Sequence, residues 1–221
     1  MKKKTTLVIH PEDPSTDFLI DIYRGRGFTE IRKDFEPSKL KSFIHDHDRI
    51  VLLGHGFHHG LLHYTRTIID ESFVSLLKEK ELVGIWCYAK TFFSRHELTG
   101  FFTDMFISEM AEAAFMDVEA TQKSIDVSNR LFATLVRKNL FRTDCYPRIL
   151  SGYKALRTPV AQYNQSRLYY RNQEGVLQGC ENHTPMDLLS KFVMQNPNIL
   201  TQLLSANQSL IQSISAQEET I

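Results

Sequence analysis

Apolar residues in this chain fall into short solid runs, separated by stretches that carry a helical stripe. Residues 49–53 (RIVLL) are wholly apolar after the first position and stop at Gly54. Residues 82–86 (LVGIW) repeat the pattern and stop at Cys87. Unbroken runs of this length are what a strand buried on both faces requires. Residues 5–9 (TTLVI) form a shorter β-branched run, halted by His10-Pro11, and predict a first strand. Residues 28–32 predict a second. Between the strands, residues 17–23, 37–45 and 70–80 predict helices. Leu40, Phe43 and Ile44 share one face of the second helix, and Phe73, Val74 and Leu77 one face of the third. Strand and helix therefore alternate through the first 90 residues. That order predicts an α/β three-layer sandwich with a mainly parallel sheet.

Beyond Cys87 the pattern predicts helices over residues 100–115 and 124–140, and one late strand at 168–170. Phe92, Phe93, Phe101, Phe102, Met105, Phe106, Ile107, Met110 and Phe115 read as core, with Gly100 a candidate hinge if residues 92–102 are a lid. Glu109 and Glu112 are expected on its solvated face. Thr184 and Pro185 have the residue types of a helix start. The sequence thus divides into an α/β domain over 1–180 and a polar, helical C-terminal extension over 181–221.

Composition narrows the function classes. Lys+Arg and Asp+Glu are both 26, a balance that argues against nucleic-acid binding through bulk charge. No apolar run approaches the roughly 18–20 residues of a membrane span, so no membrane partner is expected. The basic Met1-Lys-Lys-Lys4 start is followed by too few apolar residues for a signal peptide, and the chain reads as cytoplasmic. Cys87, Cys145 and Cys180 are widely spaced and form no CxxC pair, which suggests neither a disulfide framework nor a cysteine zinc site. No G-x-G-x-x-G, P-loop or G-x-S-x-G is present, and no cofactor is expected.

Two reactive side chains sit just past the carboxyl ends of the two best strands: His55 after RIVLL, and Cys87 after LVGIW, 32 residues on. Ligands of open α/β sheets bind at this edge. If the two strands are neighbours, about 4.8 Å apart, an imidazole and a thiol meet there without long reaches. Histidine can take the thiol proton, and the imidazolium then favours the thiolate. The backbone N–H groups of Gly56 and Cys87 are candidate oxyanion donors.

The segments Val51-Leu-Leu-Gly-His55-Gly56 and Val83-Gly-Ile-Trp-Cys87-Tyr-Ala89 resemble the core pattern of the caspase-like cysteine peptidases. That clan spans caspases, metacaspases, clostripain- and gingipain-like enzymes and CHAT-type domains. The resemblance covers roughly residues 5–115. It implies a caspase-like sheet, His55 as base, Cys87 as nucleophile, and a peptide or protein substrate. The Gln-Ala-Cys-x-Gly signature of caspases is absent, and Ile85 stands where metacaspases carry an acid, so no side-chain preference is carried over. In this fold, segments after the cysteine shape the substrate pocket, which makes Arg167 a candidate alongside His58 and Tyr88. The resemblance also suggests a compact bacterial member, with a regulated protease in stress or antiphage defence as its setting.

Two alternatives stand beside this reading. The first is a non-catalytic caspase-like domain that binds a protein partner through its C-terminal helices, or a second copy of itself. The second is a histidine-rich metal-dependent hydrolase: His45, His47, His55, His58, His59 and His63 fall within 19 residues, with Asp46 and Asp48 among them. His45–Asp48 precede a strand about 15 Å long and His55 follows it, so one metal cannot use both groups. No metal site is assigned.

Overall fold

The computed structural model describes residues 4–179. Its centre is a seven-stranded sheet. In chain order the strands are β1 (Thr6–Ile9), β2 (Thr29–Ile31), β3 (Arg49–Leu53), β7 (Glu81–Ile85), β8 (Gly100–Thr103), β9 (Leu168–Arg171) and β10 (Leu177–Gly179). A second sheet of three short antiparallel strands, β4 (Gly56–Phe57), β5 (Gly60–His63) and β6 (Arg66–Ile69), lies between β3 and β7 in sequence. The large sheet runs β10-β9-β8-β7-β3-β1-β2. Pairs β2/β1, β1/β3, β3/β7 and β7/β8 are parallel, and β9 and β10 are antiparallel.

The runs predicted as strands buried on both faces take that role for a visible reason. Leu7, Ile9, Ile50, Leu52, Leu82 and Phe102 point to one face. There they meet helices α2 (Pro37–His45), α3 (Val74–Leu77) and α4 (Ala89–Arg95) through Leu40, Ile44, Leu77, Phe92 and Phe93. Val8, Val51, Leu53, Val83, Ile85 and Phe101 point to the other face. That layer contains α1 (Ile20–Tyr23), α6 (Gln122–Asn139), α7 (Cys145–Tyr153) and α8 (Pro159–Gln165), reached through Ile22, Tyr23, Phe132, Val136, Ile149 and Ala161. Successive side chains alternate across a strand, so a solid apolar run fills both layers at once. The described residues form a three-layer α/β sandwich, as the sequence pattern predicts.

Three local expectations are corrected. Residues 100–115 are not one helix: Gly100–Thr103 is strand β8, and only Met110–Phe115 is helical, as α5. Phe101 and Phe102 alternate between the two cores, a period of two that the surrounding phenylalanines mask. Gly100 is no hinge, because its backbone lies against Leu82 on β7, where a Cβ would come 2.1 Å from the carbonyl oxygen. Residues 54–60, whose glycines and histidines predict a loop, instead lead into the small β-meander of β4, β5 and β6. The helical extension expected over 181–221 lies outside the described residues, as does Cys180.

Candidate active site

The candidate site residues gather at the carboxyl edge of the sheet. Strand order places β3 between β1 and β7, and the change of direction in the order falls between β1 and β3. In doubly wound sheets that point opens a crevice at the carboxyl edge. Leu52 pairs with Gly84 and Leu53 with Ile85, so His55 and Cys87 each stand two residues beyond directly paired positions. Gly54 N–H donates to Ile85 C=O at 3.1 Å and extends the contact past the strand ends.

The two loops are packed into each other. Trp86 is 2% exposed and donates from Nε1 to Phe57 C=O at 3.2 Å. The indole covers Gly56 so closely that a Cβ there would lie 2.0 Å from Trp86 Cδ1. Glycine at 56 is thus imposed by the tryptophan beside Cys87. Leu62 N–H donates to His55 C=O at 2.8 Å, which makes Gly56 a non-hydrogen-bonded position opposite Leu61, with its own N–H not spent on β5. Tyr88, the residue after Cys87, takes a left-handed conformation with φ of 67° and so turns the chain sharply from β7 into α4. Its ring meets Phe57 edge-on at 5.4 Å.

His55 is half-buried and faces the β1 side. Its Nε2 lies 2.6 Å from Ser15 Oγ and 3.8 Å from Asp13 Oδ2. Ser15 donates from both Oγ (2.6 Å) and N–H (3.0 Å) to Asp13 Oδ1. Asp13 is the N-cap of a 3-10 turn over Pro14–Leu19, and the Ser15 hydroxyl is the main reason its carboxyl is held below the usual carboxylate range. The turn's free N–H is therefore already occupied by a built-in anion. Beneath it, fully buried His10 bonds through its ring nitrogens to Tyr23 Oη (2.9 Å) and Thr16 Oγ1 (3.1 Å), and Thr16 returns a bond to Asp13 C=O. Burial, assisted by Arg32, lowers the His10 pKa from 6.5 to about 4, so the ring is neutral at pH 7. A small cavity of about 120 Å³ adjoins His55 between Pro11, Asp13, Leu62, His63 and Tyr64.

Cys87 faces the opposite way. Its Sγ lies 3.5 Å from Glu112 Oε1 and 4.0 Å from Phe106 C=O. The Glu112 carboxylate also accepts from Ser108 N–H (2.6 Å), Ser108 Oγ (2.9 Å) and Glu109 N–H (3.2 Å) at the start of α5. Glu112 was expected on a solvated face. It turns inward instead, because its capping box points it back at the helix start, which abuts the thiol. Asn164 holds this wall in place by exchanging two bonds of 2.8 Å with the Ile107 backbone. Enclosure and the Glu112 charge push the Cys87 thiol well above its ordinary pKa. His55 and Cys87 are thus brought to one edge on adjacent strands, but their side chains make no hydrogen bond to each other.

The remaining candidates sort by place. His58 packs at a tilt against Phe57 (4.4 Å) and His59 (3.7 Å) at the mouth of the site, and burial lowers its pKa. Arg167 is on the same edge, since its C=O accepts from Asp104 N–H at the end of β8. It is 1% exposed, with its guanidinium over the Tyr163 ring, so it presents no surface to a substrate in this conformation. His47 spends both ring nitrogens on Phe43 C=O and Thr29 Oγ1, and His45 bonds Asp46. No group of three or more His, Cys, Asp or Glu able to hold a metal occurs among the described residues. A cavity of about 190 Å³ between Leu82, Phe101, Leu140 and Tyr170 opens at the amino edge, away from this site. No helix among the described residues is long and apolar enough to cross a membrane.

Asp13, Ser15 and Glu112 were missed in the sequence. The rule that found His55, a reactive side chain just past a buried strand, applies equally to Asp13 and Ser15 after β1. Glu112 was legible only as the third residue of a Glu-x-x-Glu capping box, a pattern that names a helix start but not what the start faces.

No family model matches the chain, and no curated protein matches it. Among solved structures it is similar to the Trp repressor binding protein from Bacillus subtilis, at 12% identity and a TM-score of 0.35, over 63% of this chain and all of that one. At that score the likeness carries no argument about function.

Proposed function

We propose that the protein is a cysteine-dependent peptidase or related amide hydrolase of caspase-like type, held here in a resting arrangement. The observation that carries this reading is the β3/β7 register, which puts His55-Gly56 and Trp86-Cys87 side by side at the ligand-binding edge. In the working state the Cys87 thiol leaves Glu112 and gives its proton to His55. The thiolate attacks the substrate carbonyl, and the N–H groups of Gly56 and Cys87 receive the oxyanion. The leaving amine takes the proton from His55, and water then hydrolyses the thioester. Close packing of Gly56 on Trp86 supports the oxyanion role, because it fixes one donor relative to the nucleophile's own loop. The α5 start, with Glu112, is the element whose displacement would release the thiol.

A second reading is favoured by one specific observation. A thiol bonded to a carboxylate is a poor nucleophile, which suits a non-catalytic caspase-like domain that binds a partner.

Incubation of the full chain with peptide acyloxymethyl ketones bearing acidic, basic and apolar P1 side chains separates the two. The peptidase reading expects one covalent adduct by intact mass, mapped to Cys87, absent in Cys87→Ala and formed at least about tenfold more slowly in His55→Ala. Absence of any Cys87 adduct across the panel removes the enzyme reading and leaves the interaction reading.

A further inference from the structure

We infer that Asp13 and Ser15 are positioning residues for His55: a carboxylate–hydroxyl relay that fixes the proton on Nε2 and leaves Nδ1 as the basic nitrogen of the ring. The inference deepens the peptidase reading and rests on it for its catalytic meaning, but the relay itself is a property of three side chains.

Proton counting makes the assignment. Ser15 Oγ stands 2.6 Å from Asp13 Oδ1 on one side and 2.6 Å from His55 Nε2 on the other. Contacts this short each need a hydrogen between the heavy atoms. Serine has one hydroxyl hydrogen, and an ionised carboxylate can only accept. The hydroxyl hydrogen therefore points to Asp13, and the hydrogen on the second contact belongs to His55 Nε2. The neutral imidazole then carries its lone pair on Nδ1. Asp13 is held ionised by two bonds from Ser15, so the polarity of the chain is fixed.

The place in the fold matches this use. Asp13 and Ser15 follow β1, which flanks β3 on one side, and Cys87 follows β7, which flanks it on the other. His55 is tied through Nε2 to the β1 side. Its other nitrogen is left for a proton arriving from elsewhere on the edge. In the reaction, the Cys87 Sγ proton passes to Nδ1 and produces thiolate and imidazolium. The Nε2–H and the Ser15 O–H stay where they are. The Asp13 carboxylate, reached through the hydroxyl and 3.8 Å from Nε2 directly, holds the ring's orientation during the transfer. Neighbouring His10 is neutral and adds no competing charge.

The test is nitrogen-detected NMR of the histidine rings in the full chain, with His55 assigned by its loss in His55→Gln. Wild type should show a single neutral tautomer, with Nε2 protonated and Nδ1 bare. Ser15→Ala should mix the two tautomers, and Ser15→Thr, which keeps the hydroxyl, should restore one. Asp13→Asn tests the far end of the relay, and Ser15→Ala stands alone if loss of the Asp13 cap disturbs folding. A wild-type ring protonated on Nδ1, or a spectrum unchanged by Ser15→Ala, would overturn the relay. The Cys87 adduct rate read in parallel should fall by about tenfold or more in Ser15→Ala and recover in Ser15→Thr. If wild type forms no adduct while the tautomer result holds, the peptidase reading falls and the relay remains.

Discussion

The two strand ends at the centre of the sheet are built alike and partnered differently. His55 stands in a polar, half-open crevice and is hydrogen-bonded to a charged relay. Cys87, one strand away and likewise half-buried, lies against Phe106 and Glu112. The first environment ties one imidazole nitrogen to a hydroxyl; the second raises the pKa of a thiol. The contrast locates the control point on the cysteine side. On the proposed peptidase reading, the His55 surroundings stay as they are, whereas the thiol exchanges its carboxylate neighbour for an imidazole.

The largest effect should come from removing that carboxylate charge. Glu112→Gln keeps an oxygen for the α5 N–H groups but not the charge beside Sγ. Alkylation of Cys87 by iodoacetamide at neutral pH should rise by about tenfold or more, since one unit of thiol pKa is a factor of ten in thiolate. Buried Cys145, with its pKa raised to about 11 by burial, serves as the internal control and should not change. An unaltered Cys87 rate would mean that enclosure alone protects the thiol, and the contrast between the two strand ends would then be one of access rather than charge.

Acid stability probes the His55 side. The His10 pKa is lowered on folding, so the unfolded chain binds a proton that the native chain refuses between pH 6.5 and about 4. Stability from this residue is complete above pH 6.5 and is lost progressively as pH falls toward 4. The difference across that window is of order 3 kcal/mol. Urea melts at pH 7 and pH 4.5 should show the drop, and His10→Gln should flatten that part of it. A pH dependence that survives His10→Gln would place the acid-sensitive group elsewhere.

A smaller effect tests whether the two ends are mechanically joined. Gly56→Ala forces a methyl into the Trp86 ring and should cost about 1–3 kcal/mol by thermal or urea melts. It should also perturb Trp86 fluorescence, because the indole must move. A neutral substitution would show that the loops are less tightly packed than this contact implies.

What is legible in the sequence depends on the kind of signal. Strands β1, β3 and β7 and helix α2 were legible because solid apolar runs and helical stripes report burial directly. Strand β8 was not, because Phe101 and Phe102 sit among so many other phenylalanines that a period of two is lost. The small meander after β3 was hidden by its histidines, which resemble a polar loop. His55 and Cys87 were legible as positions, since strand ends are visible in sequence. The directions of their side chains were not, because those depend on Ser15 and Glu112, whose partners lie 40 and 25 residues away. Asp48 shows the same limit at the amino edge. It reads as part of a metal-ligand string, yet it accepts from the Thr5 backbone at 2.8 Å and fastens the start of β1 to that of β3.

The central claim is that His55 and Cys87 belong to one reactive site despite facing apart at rest. Its most direct test is the alkylation rate of Cys87 in Glu112→Gln compared with the Glu112→Gln/His55→Ala double variant, with the modified residue mapped by mass spectrometry and both folds checked by circular dichroism. The rate should be at least about tenfold lower in the double variant at neutral pH, because the thiolate loses its imidazolium partner. Equal rates in the two proteins would contradict it.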